Sequence, residues 1–114
     1  MIRLLPLLIA VLSLIGCSSV AQTGHMREAV HMFNECNFEE SIAAADEAIS
    51  FGHADTDALI ISVGVKAKSL EIIGEEDKAE ENYQLLVELS PVISSLTEAK
   101  NVTRNFEILS EDCR

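Results

Sequence analysis

The sequence predicts an all-α domain of antiparallel helical hairpins closed by a C-terminal capping helix. Three observations carry this. Apolar residues recur at helical spacing, while period-two alternation of Val, Ile and aromatics is absent. Gly52, Gly74 and Pro91 divide the chain into helix-length segments. The segments also repeat themselves at an offset of 38 residues, as the pairs Ala29/Ala67, Met32/Leu70 and Ser41/Ala79 illustrate.

The first helix is expected over 24–36, with Met26, Ala29, Val30 and Phe33 on one face. The second is expected over 38–51. Asn37 is placed to cap it and Glu40 follows three residues later, a capping-box pattern. Its inward face reads Phe38, Ile42, Ala45 and Ile49, and Gly52 stops it. "HADTD" is a polar loop in which Asp55 or Thr56 serves as the next N-cap. The third helix, over 57–73, turns Leu59, Ile60, Val63, Ala67 and Leu70 inward and ends at Gly74. The fourth, over 76–89, turns Ala79, Tyr83, Leu86 and either Val87 or Leu89 inward. The acids from Glu75 to Asp77 suit the positive end of its dipole. After Pro91 the fifth runs over 92–110, with Val92 or Ile93, then Leu96, Ala99, Thr103, Phe106 and Leu109 along its face.

The stretch "AKSLEIIGEEDKAEENYQLLVELSP", residues 67–91, resembles a tetratricopeptide repeat. Ala67 matches the small residue of the family's first helix and Leu70 the large one after it. Gly74 matches the turn glycine, Ala79 and Tyr83 the small and aromatic sites of the second helix, and Pro91 the terminal proline. Glu76 and Leu86 depart from the turn aromatic and a late small residue. In an earlier copy over about 22–55, Ala29, Phe38, Ser41 and Ala48 fit, whereas Cys36 replaces the turn glycine and Ala45 the aromatic. The resemblance implies about two helical hairpins, a helical domain over 25–114, and an inner face that grips a peptide or helix. Arg27, His31, Glu35, Ile61, Lys68 and Asn101 are the candidate lining of that face by helix phase.

The N-terminus reads differently. Arg3 precedes an apolar run from Leu4 to Ile15 that is shorter than the roughly 20 residues a membrane span needs, as in a cleaved export signal. Leu14-Ile15-Gly16-Cys17 resembles the lipobox of bacterial lipoproteins. The resemblance implies a signal peptide over 1–16, and a diacylglyceryl group and an N-acyl chain on Cys17, the first mature residue. Two or three acyl chains anchor durably, where one holds marginally. Residues 18–24 then form a short tether, and Ser18, standing where inner-membrane lipoproteins tend to carry Asp, implies the outer membrane facing the periplasm. The alternative is a signal cut elsewhere, leaving Cys17 buried or disulfide-bonded.

With Cys17 acylated, Cys36 and Cys113 remain. In an oxidising compartment they invite one disulfide; otherwise they are free thiols too far apart to meet. The mature chain carries a formal charge near −12, which disfavours nucleic acid and peripheral contact with anionic membranes. It suits solubility or a basic partner.

No catalytic constellation emerges. There is no G-x-S-x-G, and Gly64, Lys66 and Lys68 do not make a phosphate loop. His31, Glu35 and Cys36 lie together on one stretch without further ligands at metal spacing, so no resident metal, cofactor or small-molecule substrate is expected. Asp55-Thr56-Asp57 lacks the glycine and distal glutamate of a calcium loop, and "EEDKAEE" over 75–81 reads as a solvated helix start. Asn101-Val102-Thr103 matches a glycosylation acceptor with no use in a bacterial lipoprotein. The expectation is a non-enzymatic, outer-membrane-anchored scaffold or adaptor for an envelope assembly. A pilotin-like chaperone that escorts a secretin is one alternative, and an enzyme or metal protein using His31, Glu35 and Cys36 is the other.

Overall fold

A computed structural model describes residues 4–109 and Cys113, with side chains described for 17–104 and Cys113. The described residues form five α-helices: α1 Leu4–Asn34, α2 Phe38–Ser50, α3 Thr56–Ile72, α4 Glu76–Leu89 and α5 Leu96–Leu109. No strand occurs among the described residues. Successive helices pack side by side, and α3 touches all four others. The apolar run before Cys17 and the inward placement of Phe106 and Leu109 lie outside the described side chains.

The two hairpins turn in the same way. After α1, the Cys36 N–H donates to the Phe33 carbonyl (3.1 Å) and the Asn37 N–H to Met32 (2.8 Å). After α3, 38 residues on, Gly74 donates to Glu71 (3.2 Å) and Glu75 to Leu70 (2.9 Å). Both are Schellman closures, which need a left-handed residue after the helix. Gly74 meets that need at φ +90°, and Cys36 does so at φ +66°. A side chain in this conformation costs about 1–2 kcal/mol, which glycine avoids.

The core has two parts. Ala29 and Phe33 of α1 meet Ala44 and Ala45 of α2 and Val65 of α3. Small side chains bring α1 and α2 close enough for the buried Ser41 hydroxyl to donate to the Ala29 carbonyl at 2.7 Å. Phe33 and Phe38 meet edge to face, 5.4 Å between centroids. The second part joins Leu59, Val63, Ala67 and Leu70 of α3 to Ala79, Tyr83 and Leu86 of α4, with Ile93 and Ala99 closing it. Ile42 and Ile49 of α2 pack onto it from the first hairpin. Ala67 is wholly buried at its centre. Ala67→Leu is therefore expected to cost about 1–3 kcal/mol by overpacking. Urea denaturation reads this directly, and an unshifted midpoint would show that α3 and α4 are not in close contact there.

The helix ends differ from the sequence reading at some points and refine it at others. Helix α1 begins about twenty residues early, so the tether expected over 18–24 is helical and its end belongs to the fold. Asn37 occupies the N-cap of α2, but its side chain makes no capping hydrogen bond. Its backbone is already set by the closure of α1, with φ −90° and ψ 72°. Gly52–Ala54 form a 3-10 turn inside the expected loop, and Asp55 is the N-cap of α3, accepting from the Ala58 N–H at 3.1 Å. Finally, α5 starts at Leu96, four residues late. Ser95 Oγ accepts from the Glu98 N–H (3.1 Å). Glu98 in turn accepts from the Ser94 hydroxyl and N–H, bonds that hold its carboxyl below the usual range.

Candidate functional site

Cys17 lies exposed on α1 as a free thiol. Five residues later Gln22 is wholly buried between the two hairpins. Its Nε2 donates to the carbonyls of Ala48 (3.1 Å) and Gly52 (2.7 Å), and its Oε1 accepts from the Asp55 N–H (2.6 Å). One amide thus occupies carbonyls at the end of α2 and the N–H of the residue that caps α3. Thr23 adds a longer contact to Asp55, 3.5 Å. The sequence reading missed this lock; a glutamine in a run of small polar residues was its only trace. Among the described residues no helix is long and apolar enough to cross a membrane.

Cys36 and Cys113 stand at disulfide distance and are joined, with Cα atoms 5.7 Å apart. The bridge fastens the α1–α2 turn to the chain beyond α5, which explains why a cysteine takes the place held by Gly74 in the second hairpin. It also removes the Cys36 thiolate from the grouping with His31 and Glu35. Among the described residues no three His, Cys, Asp or Glu side chains converge on a metal position.

Arg27, His31 and Glu35 are exposed and follow each other at four-residue intervals along and just past α1. Ile61 on α3 and Asn101 on α5 are exposed as well. Lys68 does not belong with them. It is only 5 % exposed, and its Nζ lies 3.3 Å from Glu71 Oε2. Helix phase put Lys68 toward solvent, but α3 is central and buries nearly its whole circumference. A long aliphatic stem tolerates this when the ammonium reaches a carboxylate near the surface.

Glu71 belongs to a polar cluster the sequence reading did not identify. The Tyr83 hydroxyl donates to Glu71 Oε2, and Thr103 Oγ1 lies 3.5 Å from that hydroxyl. The Lys100 ammonium sits 5.9 Å from the centre of the Tyr83 ring. Together they tie α3, α4 and α5 beside a depression of about 240 Å³ that Glu76 and Glu80 also line. The sequence places Tyr83 in the core and at the repeat's aromatic site; the signal for the cluster is that a buried tyrosine hydroxyl requires a partner.

The chain matches no protein-family model, no curated protein and no solved structure.

Proposed function

We propose that this chain is a lipid-anchored, non-enzymatic scaffold whose helical array holds a protein partner at the outer membrane, facing the periplasm. The supporting observation is the position of Cys17. It follows a short apolar run, is exposed, and precedes Gln22, the first buried residue among the described side chains, by five positions. A diacylglyceryl group and an N-acyl chain on Cys17 would therefore attach almost directly to a rigid domain. Five helical residues rise about 7–8 Å. On this reading the end carrying Gly52–Asp55 and Pro91–Ser95 lies toward the bilayer, where the exposed Val20 and Val92 suit the interface.

The partner face in this proposal runs over the first helices of the hairpins and α5, through Arg27, His31, Glu35, Ile61 and Asn101, without Lys68. Two stacked hairpins with matching turns support a short tetratricopeptide-like array. The paired cysteines suit an oxidising compartment such as the periplasm.

Cys17→Ser tests the anchor. The unmodified chain should incorporate a labelled fatty acid and sediment with outer membranes, and the variant should lose both. Equal labelling of the two would remove Cys17 as the lipid site and the anchored reading with it.

A further inference from the structure

The internal repeat gives the open end of the array a meaning. Between the hairpins lies a groove of about 350 Å³, where Ile42 and Asp46 of α2 meet Lys66, Leu70, Lys78, Glu81 and Asn82 of the second hairpin. Here Lys66 Nζ bonds Asp46 Oδ1 at 2.6 Å across the interface. Moving back 38 residues, those five second-hairpin positions become Glu28, Met32, Glu40, Ala43 and Ala44. The same five residues line a second groove, about 360 Å³, on the outer side of the first hairpin. It is the corresponding stacking surface with no hairpin stacked on it.

The chemistry of the open groove is reversed. Lys66, which pairs with Asp46 of α2, and Lys78, which lines the same groove and pairs with Glu75 of its own hairpin, are replaced by Glu28 and Glu40. Glu47 adds a third carboxylate and His25 completes the edge. None of the three glutamates forms an ion pair among the described residues. The floor is Met32 with Ala43 and Ala44, small side chains that leave room for an inserted aliphatic group. A polar end cap kept only for solubility has no need of a single-sign rim around an apolar floor.

We infer that this uncapped groove docks a basic amphipathic helix of another protein, one that presents an aliphatic residue where α2 presents Ile42 and a lysine or arginine where it presents Asp46. The occupant is not a second copy of this chain. Continued stacking would put Glu80 where Ile42 sits, a carboxylate over the apolar floor inside the acidic rim, and the uncharged Gln84 where Asp46 sits. Like charges at an interface oppose association, while opposite charges select the partner. The inference rests on the scaffold reading and adds to it a second surface with a stated partner chemistry.

The test uses two stapled, fluorescent 16-residue helices that differ at one position, Leu-x-x-x-Lys against Leu-x-x-x-Asp. Anisotropy is read against the full chain in detergent, so the result does not depend on whether Cys17 carries lipid. The Lys helix should bind more tightly than the Asp helix, by about five-fold, with an affinity that falls as salt rises. Glu28→Lys with Glu40→Lys should invert the preference, because it rebuilds the charges of the Lys66–Asp46 groove. Ala43→Arg, at an exposed position, should block both helices. Equal binding of the two helices, binding of neither, or a preference that the double variant leaves in place would overturn the inference. So would concentration-dependent dimerisation lost on Ala43→Arg, which would assign the groove to self-stacking. Any of these, with intact lipid labelling of Cys17, would leave the anchored scaffold standing on its inner face alone.

Discussion

Cys36→Ser is expected to cost the fold roughly 4–5 kcal/mol, from the chain entropy released when a loop of this length is opened. The bonded cysteines are 77 residues apart, so the bridge encloses the whole of α2 to α5. Whole domains of this size are stable by only about 5–15 kcal/mol, so the loss is a large part of the total. Cys36→Gly should be the milder substitution. It opens the same loop, but glycine accepts the φ of +66° that serine must strain to hold. The two variants should therefore differ by about 1 kcal/mol. In urea, the serine variant's midpoint should fall by roughly 2 M. Adding reductant should bring the unmodified protein to nearly the same point and leave both variants unmoved. If reductant does not shift the unmodified protein, the bridge is not holding the fold.

The boundaries that could be read from sequence are those written in local chemistry. Asp55, Gly74 and Ser90-Pro91 mark ends whose cause is a side-chain acceptor, a left-handed turn or a missing N–H, and α3 and α4 start and stop within a residue of expectation. What escaped depends on distant parts of the chain. The stretch from Ser18 to Gly24 reads as a tether because its side chains are small and polar. It is helical and partly buried because α2 ends beside it with two carbonyls that Gln22 can reach. Lys68 has a solvent-facing phase on an isolated helix, but α3 is surrounded, so phase alone cannot expose it. Cys36 aligned with Gly74, yet only the backbone shows that the cysteine adopts the glycine's conformation. The alignment therefore marked a strained position, and the Cys36–Cys113 pair supplies the reason for keeping a side chain there.

Gln22→Ala is expected to destabilise the domain by about 2–4 kcal/mol, beyond what one side chain's apolar burial would explain. The substitution empties a fully buried site and strips partners from the Asp55 N–H and from two carbonyls. Gln22→Leu separates the two causes. It refills the volume but restores none of the bonds, so it should recover only a minor share. Gln22→Glu is sharper still. Ionised, the introduced carboxyl sets an oxygen against the carbonyls of Ala48 and Gly52; protonated, it can donate to one of them. Its folded pKa is thus raised, and the stability it retains at low pH is lost as pH rises through that value. Urea midpoints at acid and neutral pH, each taken against the unmodified chain, should show a larger deficit at neutral pH. A Gln22→Ala effect within about 0.5 kcal/mol would place the residue among ordinary surface positions and remove the lock. The consequence for the proposed anchor follows from the spacing. With Gln22 gone, α1 loses three hydrogen bonds to the end of α2 and the turn before α3 and keeps the longer Thr23–Asp55 contact, and amide exchange over residues 18–26 should rise first. In the proposed anchored form, Cys17 would then be joined to the domain by a loose strand, and the proposed seating of the helices on the bilayer would be lost while the lipid remained attached.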